Sequence, residues 1–153
     1  MLRHIETVDL NMGHYPSYAE YQDRVHQQIK AAVYRVSSAA ELNALFIECH
    51  HRWRTAPEAP QDRIQWIEPH AEACDVIVSR LADLKSEDAT RTLVELYGNP
   101  TFGWDGIFSL DAAYAISRCG PRAIPYLKKT DFSDKEMAQE LIHCIQKGTL
   151  YGP

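Results

Sequence analysis

The chain has 153 residues, of which 45% are apolar and 24% charged, and a formal net charge of −5. That size and balance suit a single folded domain with its own core and lack the basic face of a typical nucleic-acid binder. No run approaches the roughly 20 apolar residues of a membrane helix, so neither nucleic acid nor membrane is an expected partner.

The N-terminal stretch MLRHIETVDLNMGHY lacks the apolar segment of a secretory signal, which points to the cytoplasm. Cys49, Cys74, Cys119 and Cys144 lie far apart and inside helical patterns. They read as buried thiols behaving as small hydrophobes, not as a disulfide framework. Charge is unevenly placed. Residues 1–56 and 96–153 each balance six acids with six bases, whereas residues 57–95 hold nine acids and four bases. The acidic excess therefore sits mid-chain.

Residues 1–16 follow neither the helical nor the strand period and read as an irregular arm with a turn or short strand. Ser17 and Glu20 form a capping box. Tyr18, Tyr21, Val25, Ile29, Ala32, Val33 and Val36 then recur at helical spacing, predicting a helix over 17–35. Ser38 and Glu41 repeat the device before Leu42, Leu45, Phe46, Cys49 and Trp53, predicting a second helix over 38–53. Pro57 and Pro60 end it. Asp62–Glu68 reads as a short helical turn with Ile64 and Ile67 inward. Pro69 suits the first position of a third helix over 69–84, with Ala71, Cys74, Ile77, Val78, Leu81 and Leu84 as its apolar stripe.

Ser86 caps the next helix, with Glu87 and Asp88 favoured at its positive end. Ala89, Leu93, Leu96 and Tyr97 face inward, and Gly98 reads as a C′ glycine. A loop rich in glycine and aromatics follows, Asn99–Phe108. Ser109 reads as the cap of a helix packed through Leu110, Ala113, Tyr114 and Ile116 and ended by Gly120. Pro121 opens a short helix with Ile124, Tyr126 and Leu127, in which Pro125 marks an opening turn or a kink. Ser133 and Glu136 form a third capping box before Met137, Leu141, Cys144 and Ile145, and Gly148 ends that helix. The fold class is therefore all-α, with six or seven helices arranged as antiparallel hairpins in one domain over 1–153.

The run AAYAISRCGPRAIPYL from Ala112, followed by DFSDKEMAQELIHCIQKG up to Gly148, resembles HEAT-type or armadillo-like helical repeats. Gly120, Pro121, Ala123, Ile124, Pro125 and Leu127 carry most of that likeness, which covers about a quarter of the chain. The resemblance implies right-handed superhelical packing over residues 86–148 and a scaffold that binds other macromolecules, more often proteins. Residues 17–84 carry no such signature and read as helical pairs packed beside it. Small acidic cytosolic proteins of this kind are also similar to bacterial immunity proteins, which bind and silence a toxin.

Candidate chemistry clusters in three places. His70 and Cys74 are four apart and share a helical face, so they could chelate a metal, with Cys49 and one of the adjacent His50 and His51 as further ligands. The other reading is exposed histidines beside core cysteines, with no metal or cofactor, and it is the one adopted. Glu68, Glu72 and Asp75 follow at spacings of four and three and form one acidic edge. That edge is either a solvated helix face or an electrostatic docking surface for a basic partner. The loop residues Phe102, Trp104, Asp105 and Phe108 have the composition of an interface anchor, or fold back as a lid on the core. Cys119, at a helix C-terminus where a thiolate is disfavoured, is a poor nucleophile.

The expected function is a protein-binding helical module without enzymatic activity, a monomer or homodimer. Its partner is another protein, such as a toxin with a basic surface, which it neutralises by direct binding. Phe102, Trp104, Asp105, Glu68, Glu72 and Asp75 are the expected contacts. The alternatives are a small hydrolase-like or metal-dependent helical enzyme with a His/carboxylate groove, or a non-catalytic subunit of a larger complex. A pocket where titratable groups converge would favour the enzyme, and exposed aromatics without a deep polar pocket would favour the binding module.

Overall fold

Serine hydroxyls start three of the helices where the sequence places them. In the computed structural model, which describes residues 5, 7–55, 69–102, 106–132 and 135–151, Ser17 accepts from the Glu20 amide at 3.2 Å. Ser38 accepts from the Glu41 amide at 3.3 Å, and Ser86 from the Ala89 amide at 3.1 Å. Each satisfies one of the free donors at a helix start. The helices that follow are α1 (Tyr18–Tyr34), α2 (Ala39–Arg54) and, after Ser86, α4 (Glu87–Gly98). Between them α3 (Pro69–Leu84) begins on its predicted proline. The chain continues through α5 (Gly106–Cys119), a 3₁₀ turn at Gly120–Ala123, the short α6 (Ile124–Lys129) and α7 (Lys135–Gln146). Among the described residues there is no strand, and six helices have twelve or more residues. The connection 56–68, with its two prolines and the expected Asp62–Glu68 turn, lies outside the described residues, as does the Ser133 cap.

The arm before α1 is held down. Asn11 caps a 3₁₀ turn at Met12–His14. The Tyr15 hydroxyl donates to the Asp9 carbonyl at 2.8 Å, and Gln28 of α1 donates to that hydroxyl at 3.1 Å. Ile5 and Val8 are buried in the same core as Val25 and Ile29. The Asp9 carboxyl is held below its ordinary range by the Asn11 backbone amide and by His14.

The organising helix is α3. It packs against α1, α2, α4 and α5, and Ala73, Cys74, Val76, Ile77, Val78, Leu81 and Ala82 are all buried. Its apolar surface is therefore much wider than the single stripe of a surface helix. Apart from His70 and Arg80, its polar residues form one strip, Glu72, Asp75, Ser79 and Asp83, at spacings of three and four.

Three local expectations change. Ser109 falls inside α5, which starts three residues earlier at Gly106, because tertiary packing outweighs a local cap in setting helix limits. Ala113 and Ile116 are buried as expected, but Leu110 and Tyr114 are 49% and 43% exposed and Ala112 and Ala115 complete the buried face in their place. These small side chains allow α5 to sit close to α3. Gly98 is the last residue of α4, not a left-handed cap. A Cβ there would collide with Thr130 Cγ2 and the Phe132 ring. Thr130 cannot turn away freely, because its hydroxyl donates to the Tyr126 carbonyl at 2.8 Å. Gly98→Ala is accordingly expected to cost about 1–3 kcal/mol through overpacking. Urea unfolding measures it, and a cost under about 0.5 kcal/mol would contradict this packing.

Gly120 and Gly148 do take positive φ, 75° and 73°. At the end of α7 the Gly148 amide donates to Ile145 and the Thr149 amide to Cys144, the two bonds of a Schellman cap. Pro125 sits in the opening turn of α6, where its missing amide costs nothing. Lys85 links α3 to α4 at φ 51°, and its carbonyl accepts from Arg122 beyond α5.

Candidate functional site

Three polar stripes meet at a single groove. On α1 they are His26, Lys30 and Tyr34, spaced by four. On α3 they are Glu72, Asp75, Ser79 and Asp83. On α5 they are Asp111, Tyr114 and Arg118. The groove encloses about 290 Å³ and is lined by His26, Lys30, Tyr34, Asp75, Ser79, Asp111 and Tyr114 over Val76, Val78 and Ala115. It exists because α1 and α5 both pack on α3 and leave its one polar strip uncovered between them.

The pairings advance together along the three helices. At one end His26 Nδ1 is ion-paired with Glu72 Oε1. In the middle Asp75 and Asp111 face the same groove, and Asp111 is among the groups that raise the Asp75 pKa. At the other end the Tyr34 hydroxyl donates to Asp83 Oδ2 at 2.6 Å, and Arg118 pairs with Asp83 Oδ1 and donates to Ser79 Oγ at 3.4 Å. Because residue numbers rise in step on all three helices, α1, α3 and α5 run in the same direction. Tyr34 is also flanked by two cations, Lys30 Nζ at 5.3 Å and the Arg80 guanidinium at 5.0 Å from the ring centre. Arg80 is anchored in turn by donating to the Val36 carbonyl at 3.1 Å.

The electrostatic centre is Asp75. Its pKa is pushed up to about 7, first by burial, then by its hydrogen bond to Asp111 and by the negative charges of Asp111 and Glu72. Burial and neighbouring negative charge both disfavour the ionised form of Asp75. Glu72 and Asp75 thus do share a face, as their spacing predicts. They are not a free solvated edge, since each has a partner on a neighbouring helix. Glu68 lies outside the described residues.

The remaining predicted site residues separate. Phe102 is not an exposed anchor. It is 7% exposed and stands edge-on to Phe46 and His50 with ring centres 5.2 and 5.0 Å apart. A large apolar ring next to a core aromatic gains more by burial than by display. Trp104 and Asp105, and the side chain of Phe108, lie outside the described residues. His50, 9% exposed, also turns inward. It donates Nε2–H to the Phe102 carbonyl at 3.1 Å, and burial pulls its pKa below the ordinary histidine value. His51, its neighbour, is exposed. Cys49 and Cys74 are core residues, the Cys74 thiol lying 3.9 Å from the Phe46 carbonyl. Among the described residues no group of three His, Cys, Asp or Glu side chains is placed to hold a metal ion. Burial raises the Cys119 thiol pKa, in keeping with its reading as a poor nucleophile. No described helix is long and apolar enough to cross a membrane.

His26, Lys30, Tyr34 and Asp111 escaped the sequence reading. Asp111 carries the one local signal, a carboxylate set directly against the small apolar run Ala112–Ala113. No protein-family model, curated protein or solved structure matches this chain.

Proposed function

We propose that this protein is a protein-binding helical module that recognises a basic partner through the groove between α1, α3 and α5, in the manner of a small inhibitor or immunity protein that neutralises a toxin. The observation that carries the reading is that Asp75, from the acidic middle of the chain, and Asp111, from α5, line one open groove, with Glu72 beside them on α3. Carboxylates grouped on one face steer a cationic partner and sharpen selectivity. Tyr114, exposed on the rim four residues from exposed Leu110, adds the apolar contact such an interface needs. The HEAT-like reading of residues 86–148 rests on the Gly120–Leu127 signature. The cytoplasm is the proposed location.

The test is recovery of the tagged protein from its native host, followed by kinetics with the stoichiometric protein found. Glu72→Lys at the groove rim is expected to slow association about tenfold or more at low ionic strength, an effect that shrinks as salt screens the charges. Recovery of the protein without any partner, or an unchanged association rate, would sink the reading.

A second reading has its own observation. Asp75, with its pKa pushed up to about 7, stands in one groove with Asp111, the combination a carboxylate pair needs to activate water for hydrolysis. A small helical hydrolase would show turnover lost in Asp75→Asn and Asp111→Asn alike, with a pH profile set by the pair.

A further inference from the structure

A second groove, of the opposite charge, lies between α6 and α7 and encloses about 450 Å³. Its floor is Leu127, Phe132, Ala138 and Ile142, the first three buried and Ile142 half-buried. The small Ala138 side chain leaves room between the two helices. Lys128, Lys129 and Lys135 line the same groove and are all exposed, and Asp131 is the only acid among its described lining residues. Three lysines on one groove run against the chain's net charge of −5.

Local structure accounts for two of the three. Lys128 and Lys129 stand in the last turn of α6, where the helix dipole favours a cation. Lys135 stands at the opposite kind of end. It is the first residue of α7, where the dipole disfavours positive charge. The acids of α7 do not offset it within the groove. Glu136 and Glu140 are outside the lining, each about 100° round the helix from a residue that lines it, Lys135 or Gln139. Among the described residues no ion pair includes any of the three lysines. Lys135 therefore works against its own helix and in favour of an anion in the groove.

Charge complementarity selects an anionic occupant, and the floor selects its kind. None of the described lining residues is an arginine, and the one aromatic ring among them, Phe132, is 6% exposed, so the groove offers no stacking platform for nucleic-acid bases. Its apolar residues lie beneath the lysines and do not form the projecting ridge that enters a lipid surface. A peptide segment with one apolar side chain between carboxylates matches both the floor and the rim. We infer that the α6–α7 groove docks an acidic segment of a protein partner, its apolar side chain against Ile142 and its carboxylates against Lys128, Lys129 and Lys135. The surface shares no lining residue with the groove between α1, α3 and α5, and it stands whether or not that groove receives a basic partner.

The probe is the capped peptide Glu-Asp-Leu-Glu-Asp, followed by amide-resolved NMR on the intact protein at low ionic strength. Its counterparts are Lys-Lys-Leu-Lys-Lys, which reverses the charge, and Glu-Asp-Ser-Glu-Asp, which removes the apolar side chain. Saturable shifts centred on Lys129, Asp131, Lys135 and Ile142 are expected from the first peptide. The serine version should bind more weakly, and the basic peptide should leave those residues unmoved. The affinity should fall as salt screens the charges. Lys135→Glu should weaken binding about threefold to tenfold, the scale of reversing one exposed charge. Its thermal midpoint should not drop, because a carboxylate suits the start of α7, which separates a docking role from a folding one. Lys129→Gln gives the same direction of change if the first variant does not fold. No saturable shifts, equal binding of the serine version, or an affinity unmoved by both substitutions would each overturn the inference. So would tighter binding of single-stranded DNA or of phosphatidylserine vesicles at the same residues, or self-association that Lys135→Glu abolishes, since each names a different occupant.

Discussion

Phe46→Ala lowers the stability of the protein by about 3–5 kcal/mol, the usual cost of deleting a fully buried aromatic ring. Phe46 is among the largest fully buried side chains. It stacks on His50 with ring centres 6.2 Å apart and meets the edge of Phe102 at 5.2 Å. Its loss opens a cavity under α2, on the side where α2 meets α3 and the Phe102 turn. Thermal unfolding reads the change as roughly 2–4 °C per kcal/mol for a chain of this size. A second readout is local. His50 is kept neutral chiefly by burial, so its titration should move upward toward the ordinary histidine value as water reaches the site. A loss under about 1 kcal/mol with an unmoved His50 titration would show that the three rings do not form this cluster.

Asp75→Asn is expected to flatten the pH dependence of stability. The sign follows from the shift. Asp75 has an ordinary carboxyl pKa of 3.8 when unfolded and one pushed up to about 7 when folded. Between those values the folded state binds more protons, so stability falls as pH rises through that window. The contribution is complete below the unfolded value and gone above pH 7. Asparagine copies the protonated form and can donate to the Asp111 carboxylate at every pH. Relative to wild type, the variant should therefore gain about 1–2 kcal/mol on going from pH 4 to pH 8, a figure reduced for the partial exposure of the groove. Urea unfolding at the two pH values measures it. Parallel wild-type and variant curves would refute the raised Asp75 pKa. His50 titrates with the opposite sign, losing stability as pH falls through its lowered pKa, and the variant leaves that limb unchanged.

Most of the helices were legible because their signals are local. Ser17, Ser38 and Ser86 bond the amides three residues on, and a hydroxyl needs nothing from the rest of the chain to do so. Pro69 at a helix start, Gly120 after α5 and Gly148 at a Schellman cap are equally local statements about backbone freedom. Gly98 shows where such reading stops. A glycine after Leu96–Tyr97 looks like a cap, yet it is needed because Thr130 and Phe132, more than thirty residues away, press against it. Leu110 and Tyr114 fail for a related reason. Helical spacing alone allows either face of α5 to turn inward, and the alanine face wins because it permits close approach to α3.

The candidate site divides the same way. Spacing placed Glu72 and Asp75 on one face, and composition placed the acidic excess in their segment. Whether that face was a solvated edge or a built groove depended on what lay opposite, and spacing within one helix carries no such information.

The sequence by itself determined an all-α chain, several of its helix starts and stops, the burial of Cys49 and Cys74 (Cys119 and Cys144, read as buried too, are only partly covered) and its acidic middle, because caps, prolines, glycines and periodicity act within a few residues. Only the tertiary structure decided that α3 is the central helix, that Phe102 and His50 belong to the core, and that Asp75 meets Asp111. Those outcomes depend on which faces pack together when three helices far apart in sequence align. It is that alignment that brings two carboxyls 36 positions apart into one groove.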